Sequence, residues 1–199
     1  MPALLTIPPT PTATVQFRSG PVRTVTGPAN SAGNADSPWR LAQTLVAPRG
    51  EAAAVRFCSE YPGGQFCQVD LVRPGLPVTV LKNGNVTRLL WSADGQSLIG
   101  AGTNTVRRWT LTGTLRTAVP SSPLIEPGDV QTSSQITRLW LNRGDLCVAT
   151  RDQLFGAQGQ LRRTTVTTTR YQLATLQGLT SYSLPGPREP DCQAVRRSD

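Results

Sequence analysis

The chain has 199 residues, 20 basic against 12 acidic side chains, a formal net charge of +8 and no histidine. That length suits one domain or two small ones, and hydrophobic residues at 38% with 18 glycines speak against disorder throughout. Without histidine there is no Ser-His-Asp or Cys-His dyad, no His-ligated metal and no histidine general base.

From the N-terminus, residues 1–11 read as an extended segment. Met1 to Pro9 carries no charged n-region and no sustained apolar stretch, so it does not read as a signal peptide. No apolar run is long enough to span a bilayer as a helix. Short runs rich in Val, Leu, Thr and aromatics follow, each closed by Gly, Pro, Asn or Asp. They predict strands over 12–18, 22–26, 41–47, 53–58, 66–72, 86–91, 97–100, 105–111, 136–141, 146–150, 161–169 and 181–184. The 25 threonines favour strand over helix, and no window carries a sustained helical apolar stripe. Connectors are expected over 6–14, 27–38 and 120–135, and 185–199 reads as an irregular tail. The fold class is therefore all-β.

The four cysteines stand at 58, 67, 147 and 192. Pro62-Gly63 lies midway between the first two. A two-residue turn there pairs 61 with 64, 60 with 65, 59 with 66 and 58 with 67, which puts Cys58 and Cys67 at a non-hydrogen-bonded position with Cα atoms about 4.5 Å apart, within reach of a disulfide. A three-residue turn with a bulge at Gly64 would instead set Cys58 opposite Gln68, and buried free thiols are the other reading. A Cys147–Cys192 bridge is what the count leaves. No CxxC pair exists, so no structural zinc is expected.

Part of the chain repeats. Val86-Thr87-Arg88-Leu89-Leu90-Trp91 returns as Ile136-Thr137-Arg138-Leu139-Trp140-Leu141, and Trp109 to Arg116 returns as Phe155 to Arg162. A fainter copy precedes both, giving units of about 53–80, 86–119 and 136–166 within a single β-repeat domain over 12–184. Trp-Ser-Ala-Asp-Gly from Trp91, followed by Val106-Arg107-Arg108-Trp109, resembles one blade of a WD40-like or TolB-like repeat over 86–116. The resemblance implies antiparallel blades of a β-propeller. Asp94-Gly95 suits its tight two-residue hairpin. Thr110 stands where the family has aspartate, and no Gly-His dipeptide exists, so the family's buried polar network cannot form. At 40–45 residues per blade, the length supplies four or five. The expectation is a small or incomplete ring, with a β-sandwich as the alternative.

The acidic residues form no acid–base motif, and no Walker loop, GxGxxG or GxSxG occurs. The chain reads as no enzyme, with no catalytic residue, no metal and no cofactor. Lys82 is the only lysine, so the charge is almost wholly arginine. Arg88, Arg107, Arg108, Arg116, Arg138, Arg162 and Arg163 lie on or beside the repeated strands and are the candidate binding residues. Trp91, Trp109 and Trp140 take core positions. The functional expectation is a non-enzymatic scaffold module that binds a protein partner or itself through blade faces and loops. The alternative is a nucleic-acid or other polyanion binder using its arginines. An extracytoplasmic or cell-envelope location is favoured if the Cys58–Cys67 bridge forms.

Overall fold

A computed structural model describes residues 8–31, 36–120, 131–187 and 191–192. Among them the regular structure is fourteen strands and no helix. They are β1 (Thr12–Val15), β2 (Arg23–Thr26), β3 (Arg40–Val46), β4 (Ala53–Tyr61), β5 (Gly64–Val72), β6 (Thr79–Val80), β7 (Arg88–Trp91), β8 (Ser97–Ala101), β9 (Val106–Thr110), β10 (Leu115–Ala118), β11 (Gln131–Asn142), β12 (Asp145–Phe155), β13 (Leu161–Gln172) and β14 (Gln177–Pro185). β1 and β2 form a two-stranded ribbon. The rest make three four-stranded antiparallel meanders, β3–β6, β7–β10 and β11–β14. The all-β class and the propeller-like blades expected from the sequence are both present.

The chain divides into two compact units. One comprises the residues up to Gly100 with Trp109–Leu115; the other comprises Ala101–Arg108 and the residues from Arg116 onward. In the first unit, alternation along β4 sends its side chains to opposite faces of the sheet. Ala53, Val55 and Phe57 join Ala13, Val15, Phe17 and Val25 of the ribbon region in one buried cluster. Ala54, with Val69 and Leu71 of β5, packs in a second cluster with Trp91, Leu98 and Trp109. Both tryptophans anchor through their indole N–H, Trp91 to the Leu45 carbonyl at 3.1 Å and Trp109 to the Lys82 carbonyl at 3.0 Å.

The second unit holds the longest strands. β11 and β13 have 12 residues each, and β11 pairs with β12 from Gln131↔Phe155 to Asn142↔Asp145. The connector expected to reach residue 135 therefore ends earlier, because Gln131 to Gln135 pair with β12. Residues 121–130 lie outside the described residues, as do 1–7 of the N-terminal segment and most of the tail.

Two local expectations are corrected. Asp94-Gly95 is not a two-residue hairpin. Ser92 closes on Ser97 across a four-residue loop, in which the Asp94 carboxylate accepts from Ser92 Oγ at 2.6 Å and from the Gln96 N–H at 3.0 Å. Gly95 takes the left-handed conformation, φ 73°, that this loop requires. These hydrogen bonds, with the Ser92 hydroxyl first, hold the Asp94 carboxyl below its usual range. Trp140 is only half-buried, and the Arg138 guanidinium lies 4.8 Å from its ring centroid.

Candidate functional site

The hairpin of β4 and β5 positions the candidate site. Its register is Tyr61↔Gly64, Glu60↔Gln65, Ser59↔Phe66 and Cys58↔Cys67. Gly63 follows Pro62 with φ 96°, as a type II turn demands at its third position. The competing bulged register is thereby excluded. Cys58 and Cys67 form a disulfide with Cα atoms 4.2 Å apart, and Cys147 and Cys192 form a second with Cα atoms 6.1 Å apart. All four cysteines of the chain are thus paired.

On the Ala54 face of this sheet, the chemistry changes along the strands. Ala54 and Leu71 sit in the apolar core, and Arg56 comes next, donating to the Thr87 carbonyl. Burial, and secondarily the charge of Arg88, lowers the Arg56 pKa. The Cys58–Cys67 bridge follows, and Glu60 and Gln65 end the face at the hairpin tip. There a cleft of about 450 Å³ opens, lined by Asp36, Ser37, Pro38, Arg40, Leu41, Ala42, Cys58, Glu60, Tyr61, Pro62 and Gln65.

Three devices shape this cleft. Strand β3 brings Arg40 opposite Cys58, and a β-bulge follows, with Leu41↔Phe57 succeeded by Gln43↔Arg56. In a regular strand alternate residues face away; the extra residue, Ala42, lets Arg40, Leu41 and Ala42 all reach the cleft. Residues 36–39 are tied down by side chains. Asn30 accepts the Trp39 N–H at 2.6 Å and donates to the Trp39 carbonyl, while Ser59 Oγ donates to the Ser37 carbonyl. Trp39 also meets Phe66 edge to face, centroids 5.7 Å apart. The Gln65 amide N–H donates to Glu60 Oε1 at 3.4 Å, leaving its carbonyl oxygen as an acceptor.

The cleft opposes the charge of the whole chain, with two carboxylates against one guanidinium. Arg40 is the diagonal neighbour of Glu60 on one face, a spacing of about 7–8 Å that is somewhat less between Cβ atoms. Among the described residues no ion pair joins Arg40 to Asp36 or to Glu60. Sequence reasoning paired Glu60 with Gln65 but assigned neither a role. Arg40 carried no signal at all, since only the path of β3 places it.

The seven arginines singled out by sequence are dispersed among the sheets. Arg88, Arg116, Arg138 and Arg162 are exposed, and Arg107, Arg108 and Arg163 are half-buried. Burial lowers the Arg107 pKa, and Arg108 donates to the Ala174 carbonyl at 3.0 Å. A closer ion pair lies elsewhere, where Arg170 Nε meets Asp145 Oδ2 at 2.6 Å across β12 and β13. Two carboxyls are deeply buried. Asp70 accepts from Gln68 at 2.8 Å and Asp152 from Ser134 at 2.7 Å, and burial raises both pKa values. Among the described residues no group of three or more His, Cys, Asp or Glu could hold a metal ion, and no helix is long and apolar enough to cross a membrane.

No family model matches the chain, and no curated protein matches it. One solved structure does, a periplasmic gluconolactonase of Pseudomonas aeruginosa, at 13% identity and a TM-score of 0.34. The match covers 75% of this chain and 56% of that protein, so the chain spans little more than half its length. That neighbour is an enzyme, and no feature of the described residues speaks for a scaffold. The expected non-enzymatic module for a protein partner, with nucleic acid or another polyanion as its alternative, is corrected accordingly.

Proposed function

We propose that this blade protein works outside the cytoplasm and receives a small polar molecule in the cleft at the β4–β5 hairpin tip. The cleft carries the functional part. It has the size of a small-molecule site and joins a few convergent polar groups to apolar walls. Arg40 donates, Asp36 and Glu60 accept, and Leu41, Ala42, Pro38 and Pro62 supply the walls. The two disulfides support the location, since paired cysteines persist in oxidising compartments and are rare in the cytosol. The WD40-like or TolB-like cast of residues 86–116 belongs to this reading as its expectation for blade ancestry.

Two experiments test it. Protein from its own cells, acid-quenched and alkylated, should show no labelled thiol until reductant is added; four labelled thiols would remove the extracytoplasmic assignment. A set of small polar metabolites, screened by amide chemical shift, should move Arg40, Glu60 and Gln65 together. If none moves them, the cleft is not a ligand site.

A further inference from the structure

Resting on that reading of the cleft, we infer that its ligand is a small zwitterion, an α-amino acid or dipeptide with free amino and carboxylate ends. Three observations lead there. First, the cleft holds charges of both signs that are not joined in an ion pair, a positive one on Arg40 and negative ones on Asp36 and Glu60. A simple anion would meet two carboxylates, and a simple cation would meet the guanidinium. A ligand with both charges satisfies each group in turn.

Second, the groups are spread along the sheet and not clustered. Arg40 pairs with Cys58 in register, while Glu60 lies two residues further toward the turn. The planar guanidinium can take a carboxylate through two parallel N–H···O bonds. Glu60 keeps Oε2 free of the Gln65 contact, so an ammonium group finds its acceptor at the other end, and Asp36 lines the same cleft as a second carboxylate. A dipeptide backbone of two residues extends about 7 Å, comparable to the diagonal spacing of Arg40 and Glu60.

Third, the walls between the charged ends are apolar or uncharged. Leu41 is 44% exposed and Tyr61 50% exposed, both at the cleft. They offer surface to the ligand's side chain, and the Gln65 carbonyl and Ser37 hydroxyl offer hydrogen bonds to its peptide group.

The test is an amide chemical-shift titration of the oxidised protein with L-alanyl-L-alanine, its N-acetyl derivative, its C-terminal amide and D-glucose. The free dipeptide should shift Arg40, Glu60 and Gln65, and each derivative missing one charge should bind about tenfold more weakly or worse. Arg40→Gln should abolish the preference for the free acid over the amide while keeping the preference for the free amine. Glu60→Gln should weaken the second preference and keep the first. A merely structural role for either residue would not separate the two. If glucose or a single-charge derivative binds as well as the free dipeptide, the zwitterion is overturned while the cleft remains a ligand site. If no probe shifts these residues, the zwitterion is overturned; failure of the wider metabolite screen would overturn the cleft too.

Discussion

The first and third four-stranded sheets are built from different materials. β4 and β5 bury Ala53, Ala54, Val55, Phe57, Val69, Leu71 and Val72 almost completely, with apolar clusters on both faces. β12 and β13 bury Leu146, Val148, Leu154 and Val166, but also Thr150, Asp152, Thr168 and Thr169. Their outer partner β14 adds hydroxyl pairs, Thr167 with Ser183 at 2.8 Å and Thr169 with Ser181 at 3.0 Å. The first sheet is held by burial, whose strength follows apolar area. The third relies more on its long ladder, on paired polar groups and on a disulfide that ties the distant Cys192 to β12.

Truncating the apolar sheet should have the largest effect. Phe57→Ala is expected to cost about 3–5 kcal/mol in denaturant unfolding, because the ring is fully buried and its loss leaves a cavity. A cost below about 1 kcal/mol would mean that burial does not hold this sheet.

The disulfides probe the same contrast. Removing the Cys147–Cys192 bridge, which spans 45 residues, should cost about 4 kcal/mol on the loop-entropy account, and removing Cys58–Cys67, which spans 9, about 2.5 kcal/mol. Paired cysteine-to-serine variants compared by urea unfolding would show whether the third sheet depends more on its covalent link. The reverse order would undo that half of the comparison.

Smaller effects concern the buried polar atoms. Thr150 Oγ1 is buried and has no hydrogen-bond partner. Thr150→Val keeps the shape and removes the unsatisfied group, so it should raise stability by about 1 kcal/mol. A loss on this substitution would show that the hydroxyl is used.

The smallest effect is a pH dependence. Burial raises the Asp152 pKa, so the folded state binds its proton more tightly than the unfolded chain does. The stabilisation from that proton is present below the ordinary carboxylate value and is lost as pH rises through the raised one. Asp152→Asn should flatten the stability profile in that window, and Asp70→Asn should do the same in the first sheet. An unchanged profile in both variants would place the acid dependence elsewhere.

The sequence alone determined what is local. Threonine and β-branched runs specified most strands, and Pro62-Gly63 placed a hairpin with two candidate registers, of which the structure takes the one that sets Cys58 opposite Cys67. β6 escaped notice because two residues carry too little pattern, and β10 because Leu-Arg-Thr-Ala has no Val, Ile or aromatic residue to mark a strand. The repeat was half legible. Val86–Trp91 and Ile136–Leu141 both enter the first strand of a sheet, but Trp109 to Arg116 spans β9 and β10 while Phe155 to Arg162 joins β12 to β13. Similar hairpins look alike in sequence whichever strands they connect.

Tertiary structure decided the rest. The approach of Arg40 to Cys58 and Glu60, the bulge at Ala42 and the pairing of Cys147 with Cys192 depend on segments distant in sequence. Hairpin pairing follows from the turn residues between two strands, but the meeting of distant segments follows from the whole chain's burial. For that reason the hairpin disulfide was among the pairings that the turn residues allow, and the cleft beside it lay beyond them.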